Sequence, residues 1–359
     1  LIKFAQTHQI DLTFVGPEVP LAAGIVDDFQ AIGLPIFGVT QKLAQLESSK
    51  TFAKTFMHRH HLPTAASKTV HSAIEAHAEA TLMGLPLVLK KDGLAAGKGV
   101  VIANDAATLD DTIEQFYAGH PDATVLLEEY LAGEEASVMA LFNDQKRVIL
   151  PLSQDHKRRH AADRGPNTGG MGAISPLPQF KPDQVQAAQS LVDATLAGMH
   201  QDGLNGHGVM YIGLIFTKEG PKILEYNMRF GDPETQVLLP QIENDFYQLV
   251  SDLLDGQQPT LKLNGLAYAC FVAVNPDYPR ANLKTVPVIV PTNWPIGTWL
   301  PAGVTRADGG WISDAGRIFS VVAGAATLPE AVAKAKHDLE SIQGVLDYRT
   351  DIGFHALKG

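Results

Sequence analysis

Ile223-Leu224-Glu225-Tyr226-Asn227-Met228-Arg229-Phe230 carries two kinds of chemistry on one short segment. Strand side chains point alternately to opposite faces. A strand over 222–230 puts Glu225, Asn227 and Arg229 on one face. Leu224, Tyr226, Met228 and Phe230 take the other, which reads as a core face. The polar face offers two oxygen donors one pleat apart with a guanidinium beyond them. Magnesium takes oxygen ligands, commonly one or two carboxylates plus substrate phosphates. Arg229 can reach the same phosphate or an oxyanion derived from it. Taken alone, the strand reads first as a solvated face carrying a Glu–Arg pair. Gly231-Asp232-Pro233-Glu234-Thr235 then turns the chain and keeps two more carboxylates nearby.

Upstream, Lys91-Asp92-Gly93-Leu94-Ala95-Ala96-Gly97-Lys98-Gly99 joins two predicted strands, 87–91 and 100–103. Its three glycines permit a tight loop whose amides can face phosphate oxygens, and Lys98 adds charge. It is not a Walker A motif, because Gly93 and Gly97 are too close and Gly99 stands where Ser or Thr belongs. By turn chemistry alone it is equally a flexible hairpin. Lys90 closes an apolar strand, where a lysine turned inward needs an anion. A snorkelling surface lysine is the alternative. Lys50, on a predicted helix over 48–61 ended by Pro63, reads by itself as an exposed helix lysine.

The remaining elements form an α/β pattern. Strand 12–15, helix 21–31 and strand 35–37 suggest parallel strands, though two strands alone make a poor sheet. The chain opens at Leu1 inside an apparent helix, so a natural N-terminus upstream is expected. Strand 67–70, helix 71–83, strand 87–91, helix 106–118 and strand 124–129 make a compact α+β block. A hairpin over 136–142 and 147–152, a polar loop over 155–172, helix 183–201 and strand 213–217 lead to the acidic strand. A linker at 257–262 precedes strands near 266–274, 297–300 and 317–323. Helix 329–342 follows, with a capping box at Thr327 and Glu330.

Composition narrows the function classes. The 359 residues allow two or three domains. Hydrophobic residues make up 45% and charged residues 19%, which excludes wholesale disorder. The net charge of −11 argues against a general nucleic-acid binder. Cys270 is the single cysteine, so no disulfide framework or thiolate cluster forms within the chain, and a reducing, cytoplasmic setting is expected. No apolar run approaches the roughly 18 residues of a membrane span. His58-x-His60-His61 resembles a chelating run but reads as a solvated helix end without a carboxylate at useful spacing. His156, in the charged loop, is more suggestive of a substrate contact.

Helix lysine, strand lysine, glycine-rich loop, acidic strand end and Glu-x-Asn-x-Arg, in this order, resemble the ATP-grasp ligases. Six segments resemble the phosphoribosylamine–glycine ligase (glycinamide ribonucleotide synthetase) family more closely. They are Val15-Gly-Pro-Glu-Val-Pro20, Leu89-Lys-Lys-Asp-Gly-Leu-Ala-Ala-Gly-Lys-Gly99, Glu128-Glu-Tyr-Leu-Ala-Gly-Glu-Glu-Ala-Ser137, Ser153-Gln-Asp-His-Lys-Arg158, Gly165-Pro-Asn-Thr-Gly-Gly-Met-Gly172 and Asn227-Met-Arg-Phe-Gly-Asp-Pro-Glu234. The resemblance implies an α/β and α+β multidomain protein: a truncated Rossmann-like N-terminal α/β domain (1–48), an ATP-grasp domain (49–256, lid about 67–135) and a C-terminal α+β domain (265–359). The family's opening glycine-rich strand–loop has no counterpart here. In the C-terminal part, Asp314-Ala-Gly-Arg317 and Asn275-Pro-Asp-Tyr-Pro279 depart from the family pattern.

The resemblance also implies the activity, which is ligation of glycine to 5-phosphoribosylamine with cleavage of ATP, in de novo purine synthesis. Lys50 and Lys90 would contact the ATP phosphates, with Gly97 and Lys98 in a loop that closes over them. Glu128, Glu129 and Leu131 would form the adenine hinge, and Glu135 would accept the ribose hydroxyls. Glu225 and Asn227 match the ligands of Mg2+ or Mn2+, and Arg229, with Lys90 and Lys98, the catalytic cations. Glu18, Asp155, Asn167, Gly170 and Asp232 would line the substrate side. Expected partners are these small molecules, without nucleic acid or membrane, in a monomer or weak dimer. Two alternatives stand beside this one: another ATP-grasp carboxylate–amine ligase, and a non-catalytic nucleotide-binding fragment.

Overall fold

The computed structural model describes residues 1–94, 99–289, 298–307, 310–344 and 346–357. Gly97 and Lys98 lie outside the described residues, as do 290–297 within the stretch that includes the expected strand near 297–300. The chain divides into two compact units. The first comprises Leu1–Ile149, Pro182–Phe230 and Tyr247–Pro259, and the second Leu150–Lys181, Gly231–Phe246 and Thr260–Gly359.

The first unit opens with helix Ile2–Thr7, followed by strand Thr13–Phe14 paired parallel to Ile36–Phe37. The single helix expected over 21–31 is two helices, Glu18–Ala22 and Ile25–Gln30. Gly24 separates them with φ +89°, a left-handed conformation that side chains other than glycine rarely adopt. A further helix that the sequence reading missed, Gln41–Ser48, buries Leu43, Ala44 and Leu46. The Thr40 hydroxyl caps it by accepting from the Leu43 amide. Ser49 leaves helical geometry and caps the next helix, Lys50–Arg59, through the Phe52 amide.

Two sheets frame this unit. The smaller is antiparallel, in the order Ser67–Val70, Val125–Glu129, Leu87–Lys91, Val100–Ala103. Helices Ala73–Met83 and Ala106–Tyr117 back it around Val70, Ala76, Leu87, Leu89, Ile113 and Leu127. Ser72 and Asp105 cap these helices. The larger sheet runs Gly220–Asn227, His207–Thr217, Glu134–Asn143, Lys146–Ile149. Helix Pro182–Gln201 packs on it, with Thr195 hydrogen-bonded to the buried Tyr226 hydroxyl at 3.0 Å. Gly198 lets that helix approach helix Lys50–Arg59 closely, since a Cβ there would sit 2.8 Å from His60.

The acidic strand departs from strict alternation. It ends at Asn227, not Phe230. Its pairing with His207–Thr217 slips one residue: Gly213 faces Glu225 but Leu214 faces Ile223. Leu224 is thus the extra residue of a bulge. Ile223 and Tyr226 share the core, both nearly inaccessible, whereas Leu224 leaves it and lines a cavity with Glu225. The expectation of Leu224 on the core face is corrected accordingly. Met228 is buried as expected, and Phe230 is half-buried, stacked on Phe14.

The second unit is built on an antiparallel sheet in the order Trp299–Pro301, Arg317–Ala325, Ala267–Val274, Gly172–Ser175, Gln154–Asp155. Helix Leu328–Glu340 begins at the expected capping box of Thr327 and Glu330. The expected polar loop over 155–172 holds a hairpin, Arg158–His160 with Arg164–Asn167. Arg349 anchors the C-terminal segment. It is 1% exposed, pairs with Asp163 at 2.9 Å and Asp351 at 2.7 Å, and lies over the Phe354 ring. Cys270 is fully buried, which pushes its thiol up to about 12 and suits a packing role.

His156, expected as a substrate contact, belongs to this interior. It is 2% exposed, and its Nε2 accepts from the Gly353 amide at 2.8 Å. Burial, then the nearby Arg349 charge, lowers its pKa to about 3. The ring is therefore neutral in the folded chain, while an unfolded chain protonates it below its ordinary value near 6.5. Stability from this group is full above pH 6.5 and is lost as pH falls toward 3. Between those limits the wild type should lose about 1.4 kcal/mol per pH unit more than His156→Gln. Urea unfolding of both at pH 7, 5.5 and 4.5 tests this; parallel pH profiles would refute it.

Candidate active site

One cavity of the first unit collects residues from six separate segments. Glu18 comes from helix Glu18–Ala22, Glu47 from Gln41–Ser48, and Lys50 and Lys54 from Lys50–Arg59. Lys90 and Glu128 come from the smaller sheet, and Glu225, Asn227 and Arg229 from the acidic strand and its exit. Six of the nine were expected to meet a nucleotide, metal or transferred phosphoryl, and Glu18 a substrate. Glu47 and Lys54 were not singled out.

Local capping explains the entrance. Asp92 of the glycine-rich loop accepts from the Lys50 amide at 2.6 Å and from the Thr51 amide and hydroxyl. A carboxylate on the first amides of a helix satisfies groups that have no intrahelical partner, and favours the positive end of the helix dipole. The loop is thereby tied to the helix that carries Lys50, whose Nζ donates to the Gly93 carbonyl at 2.8 Å. Burial lowers the Lys50 pKa, opposed first by Glu225 and then by Asp92.

Deeper in the cavity, the anion that Lys90 requires is Glu128. The Lys90 ammonium lies 2.9 Å from Glu128 Oε2 and donates to the Leu224 carbonyl at 3.1 Å. Lys54 lies 3.2 Å from Glu128 Oε1. It donates to the Thr64 hydroxyl at 2.6 Å and to the Ala65 carbonyl at 3.2 Å. All three charged residues are under 10% exposed. Burial lowers the Lys54 pKa to about 8, and Glu128 is the main opposing influence.

At the acidic strand, Glu225 and Asn227 point oxygen donors into the cavity, both half-buried. Arg229 leans back over them, with Nη2 3.3 Å from Asn227 Oδ1 and 3.1 Å from Glu47 Oε1. Its Nε is 3.8 Å from Glu18. Glu47 also accepts from the Met228 amide at 2.7 Å, and burial raises its pKa despite the Arg229 charge. Among the described residues no group of three or more His, Cys, Asp or Glu is arranged to hold a metal. An oxygen pair completed by phosphates and water is the arrangement that suits Mg2+.

The other expected site residues fall elsewhere. Glu129, Leu131 and Glu135 are outside the cavity lining; Glu129 exchanges hydrogen bonds with Ala66 through its amide and its carboxylate. Asp155, Asn167, Gly170 and Asp232 lie in the second unit. There Arg317 joins two of the expected segments, donating to the Gly169 carbonyl and pairing with Asp232 at 2.7 Å. Tyr278 accepts from the Gly169 amide. Gly170 has φ +105°, and a Cβ would press on Pro233. Asp155 pairs with Ala173 at the sheet edge, and Asn167 with Arg158 in the exposed hairpin. His60, expected to lack a useful carboxylate, has Asp202 at 3.1 Å, supplied from a distant helix end.

Two antiparallel sheets that lend a lysine and acids to one cavity, with two more lysines from a helix beside them, define the class: an ATP-grasp protein. The chain resembles a biotin carboxylase from Campylobacter jejuni at TM-score 0.74 and 16% identity, over 96% of this chain and 77% of that one, a likeness of fold alone. Models of the phosphoribosylglycinamide synthetase N domain, ATP-grasp (A) domain and C domain match residues 1–47, 48–235 and 268–355. The chain belongs to the phosphoribosylglycinamide synthetase family. It is 42% identical to a phosphoribosylamine–glycine ligase of Halalkalibacterium halodurans over 99% of this chain and 85% of that protein. A solved phosphoribosylamine–glycine ligase from Thermotoga maritima superposes at TM-score 0.81 with 32% identity, covering 91% of this chain and 84% of that one.

Proposed function

We propose that this chain ligates glycine to 5-phosphoribosylamine through a glycyl phosphate, forming glycinamide ribonucleotide, ADP and phosphate in purine biosynthesis. The observation that carries this is the meeting of Lys50, Lys90, Glu225, Asn227 and Arg229 in one cavity of a chain with full-length likeness to such ligases. That full-length likeness also argues against a non-catalytic nucleotide-binding fragment. Residues 1–48, 49–256 and 265–359 are its proposed N-terminal, ATP-grasp and C-terminal parts. We assign its setting to the cytoplasm and its form to a monomer or weak dimer. Among the described residues no helix is long and apolar enough to cross a membrane.

The chemistry required matches the residue types. A carboxylate is a poor electrophile, because displacement would expel oxide. Transfer of the γ-phosphoryl of ATP to the glycine carboxylate creates an acyl phosphate with a good leaving group. The phosphoribosylamine nitrogen attacks its carbonyl carbon, phosphate departs, and the nitrogen loses a proton. Phosphoryl transfer depends mostly on positioning and charge neutralisation. Lys50 and Lys90 hold phosphate oxygens, and Arg229 steadies the moving phosphoryl. Glu225 and Asn227 would hold Mg2+ or, with the same oxygen donors, Mn2+. The metal, when bound, neutralises charge on the phosphate oxygens. The hinge at Glu128, Glu129 and Leu131 is assigned to adenine, and Glu135 to the ribose. Glu18, Asp155, Asn167, Gly170 and Asp232 are assigned to the two acceptor substrates. Gly97 and Lys98 are assigned to a loop that shields the acyl phosphate from water.

ADP release measured with and without each substrate tests this. Release should require glycine together with phosphoribosylamine, and glycinamide ribonucleotide should form in equal amount. Release with a different amine acceptor, and none with phosphoribosylamine, would instead favour another carboxylate–amine ligase.

A further inference from the structure

We infer that Lys54 is a positioning residue for the polyphosphate of the nucleotide, acting through Glu128 on Lys90. This rests on the proposal that the cavity binds ATP. The Lys54 ammonium is enclosed by protein acceptors: Thr64, Ala65 and the Glu128 carboxylate. It is 5% exposed. Its part is therefore played through those acceptors. Lys90 differs. Its described partners are Glu128 and the Leu224 carbonyl, which leaves one of three N–H donors for a ligand oxygen.

The two oxygens of Glu128 are divided, Oε1 to Lys54 and Oε2 to Lys90. Were Glu128 to face Lys90 alone, one carboxylate would neutralise one ammonium, and a phosphate would have to compete with it. The second lysine restores a net positive charge to the cluster. The balance of the whole cavity makes the same point. Its lining carries Lys50, Lys54, Lys90 and Arg229 against Glu18, Glu47, Glu128 and Glu225. Removing Lys54 leaves carboxylates in excess and repels a polyanion. The geometry adds a second link. Thr64, which accepts from Lys54, donates to the Ile223 carbonyl at 2.7 Å, two residues before Glu225. Lys54 thus braces the acidic strand as well as Lys90.

The test is the affinity of the complete protein for ATP, ADP and adenosine, by titration calorimetry, in wild type, Lys54→Met and Lys54→Arg. In Lys54→Met, affinity for ATP and ADP should fall about 10-fold or more, whereas adenosine should change by less than about 3-fold. Lys54→Arg keeps the charge and should bind ADP within about 3-fold of wild type. Adding Glu128→Gln to Lys54→Met restores the charge balance and should recover part of the ADP affinity. Unchanged ADP affinity in Lys54→Met would overturn the inference. So would equal weakening for ADP and adenosine, which marks a merely structural lysine. If Lys54→Met does not fold, Lys54→Arg decides alone: loss of ADP affinity with adenosine binding intact overturns the role given to charge. A wild type that binds adenosine phosphates no better than adenosine would instead overturn the ATP reading beneath it.

Discussion

Glu225→Gln is expected to lower turnover by about 100-fold or more, while the protein stays folded. The substitution keeps size and one oxygen donor but removes the charge that faces the nucleotide. Glu225 is also the largest influence raising the pKa of Lys50, so the loss makes the cation beside it harder to keep charged. Stability should change little, because the side chain is half-buried in a cavity and does not belong to the core. The measurement is ADP formation over a series of Mg2+ concentrations, with thermal unfolding as the control. The Mg2+ needed for half-maximal rate should rise sharply. A variant with near-normal turnover and Mg2+ dependence would remove the metal role from Glu225.

Arg229→Met should lower kcat by about 100- to 1,000-fold, with a smaller change in KM for ATP, as removal of an oxyanion-stabilising donor does. A second consequence separates it from Glu225. Arg229 is the charge that compensates Glu47, whose carboxylate is 7% exposed. Without it, Glu47 retains the Met228 amide as the hydrogen-bond donor on its carboxylate. The cost in stability should be about 1–3 kcal/mol, that of a buried polar group losing its partner. Glu47→Gln added to Arg229→Met should recover most of that stability and none of the turnover. Calorimetric or chemical unfolding beside the rate assay reads both. Recovery of turnover in the double variant would show that Arg229 serves only to compensate Glu47.

Legibility followed sequence distance. Lys90, the glycine-rich loop and the Glu225–Asn227 pair stand out because each rests on neighbours a few residues away: strand alternation, turn-forming glycines, an inward lysine. Glu47 and Lys54 carry no such sign. Each looks like an ordinary charged residue on a helix, and only the packing of Gln41–Ser48 and Lys50–Arg59 against the acidic strand and the smaller sheet makes it interior. Arg317 is equally silent, since its partners Gly169 and Asp232 are 148 and 85 residues away. Gly24 carries the local sign of a helix break, a glycine between two apolar runs. His156 misled, because the charged residues around it suggested an exposed loop.

By itself, the order of side chains determined where most strands and helices of the first unit lie, where the loop capable of holding phosphate falls, and which strand bears acid, amide and guanidinium. These depend on local periodicity, capping and turn chemistry, which a single chain segment contains. Tertiary structure alone decided that Leu224 bulges out of the core, that Glu128 is shared by two lysines, and that Glu47 grips Arg229. Each of those results from pairing or desolvation between segments far apart in the chain, and neither strand register nor burial is defined until the partner segment is in place.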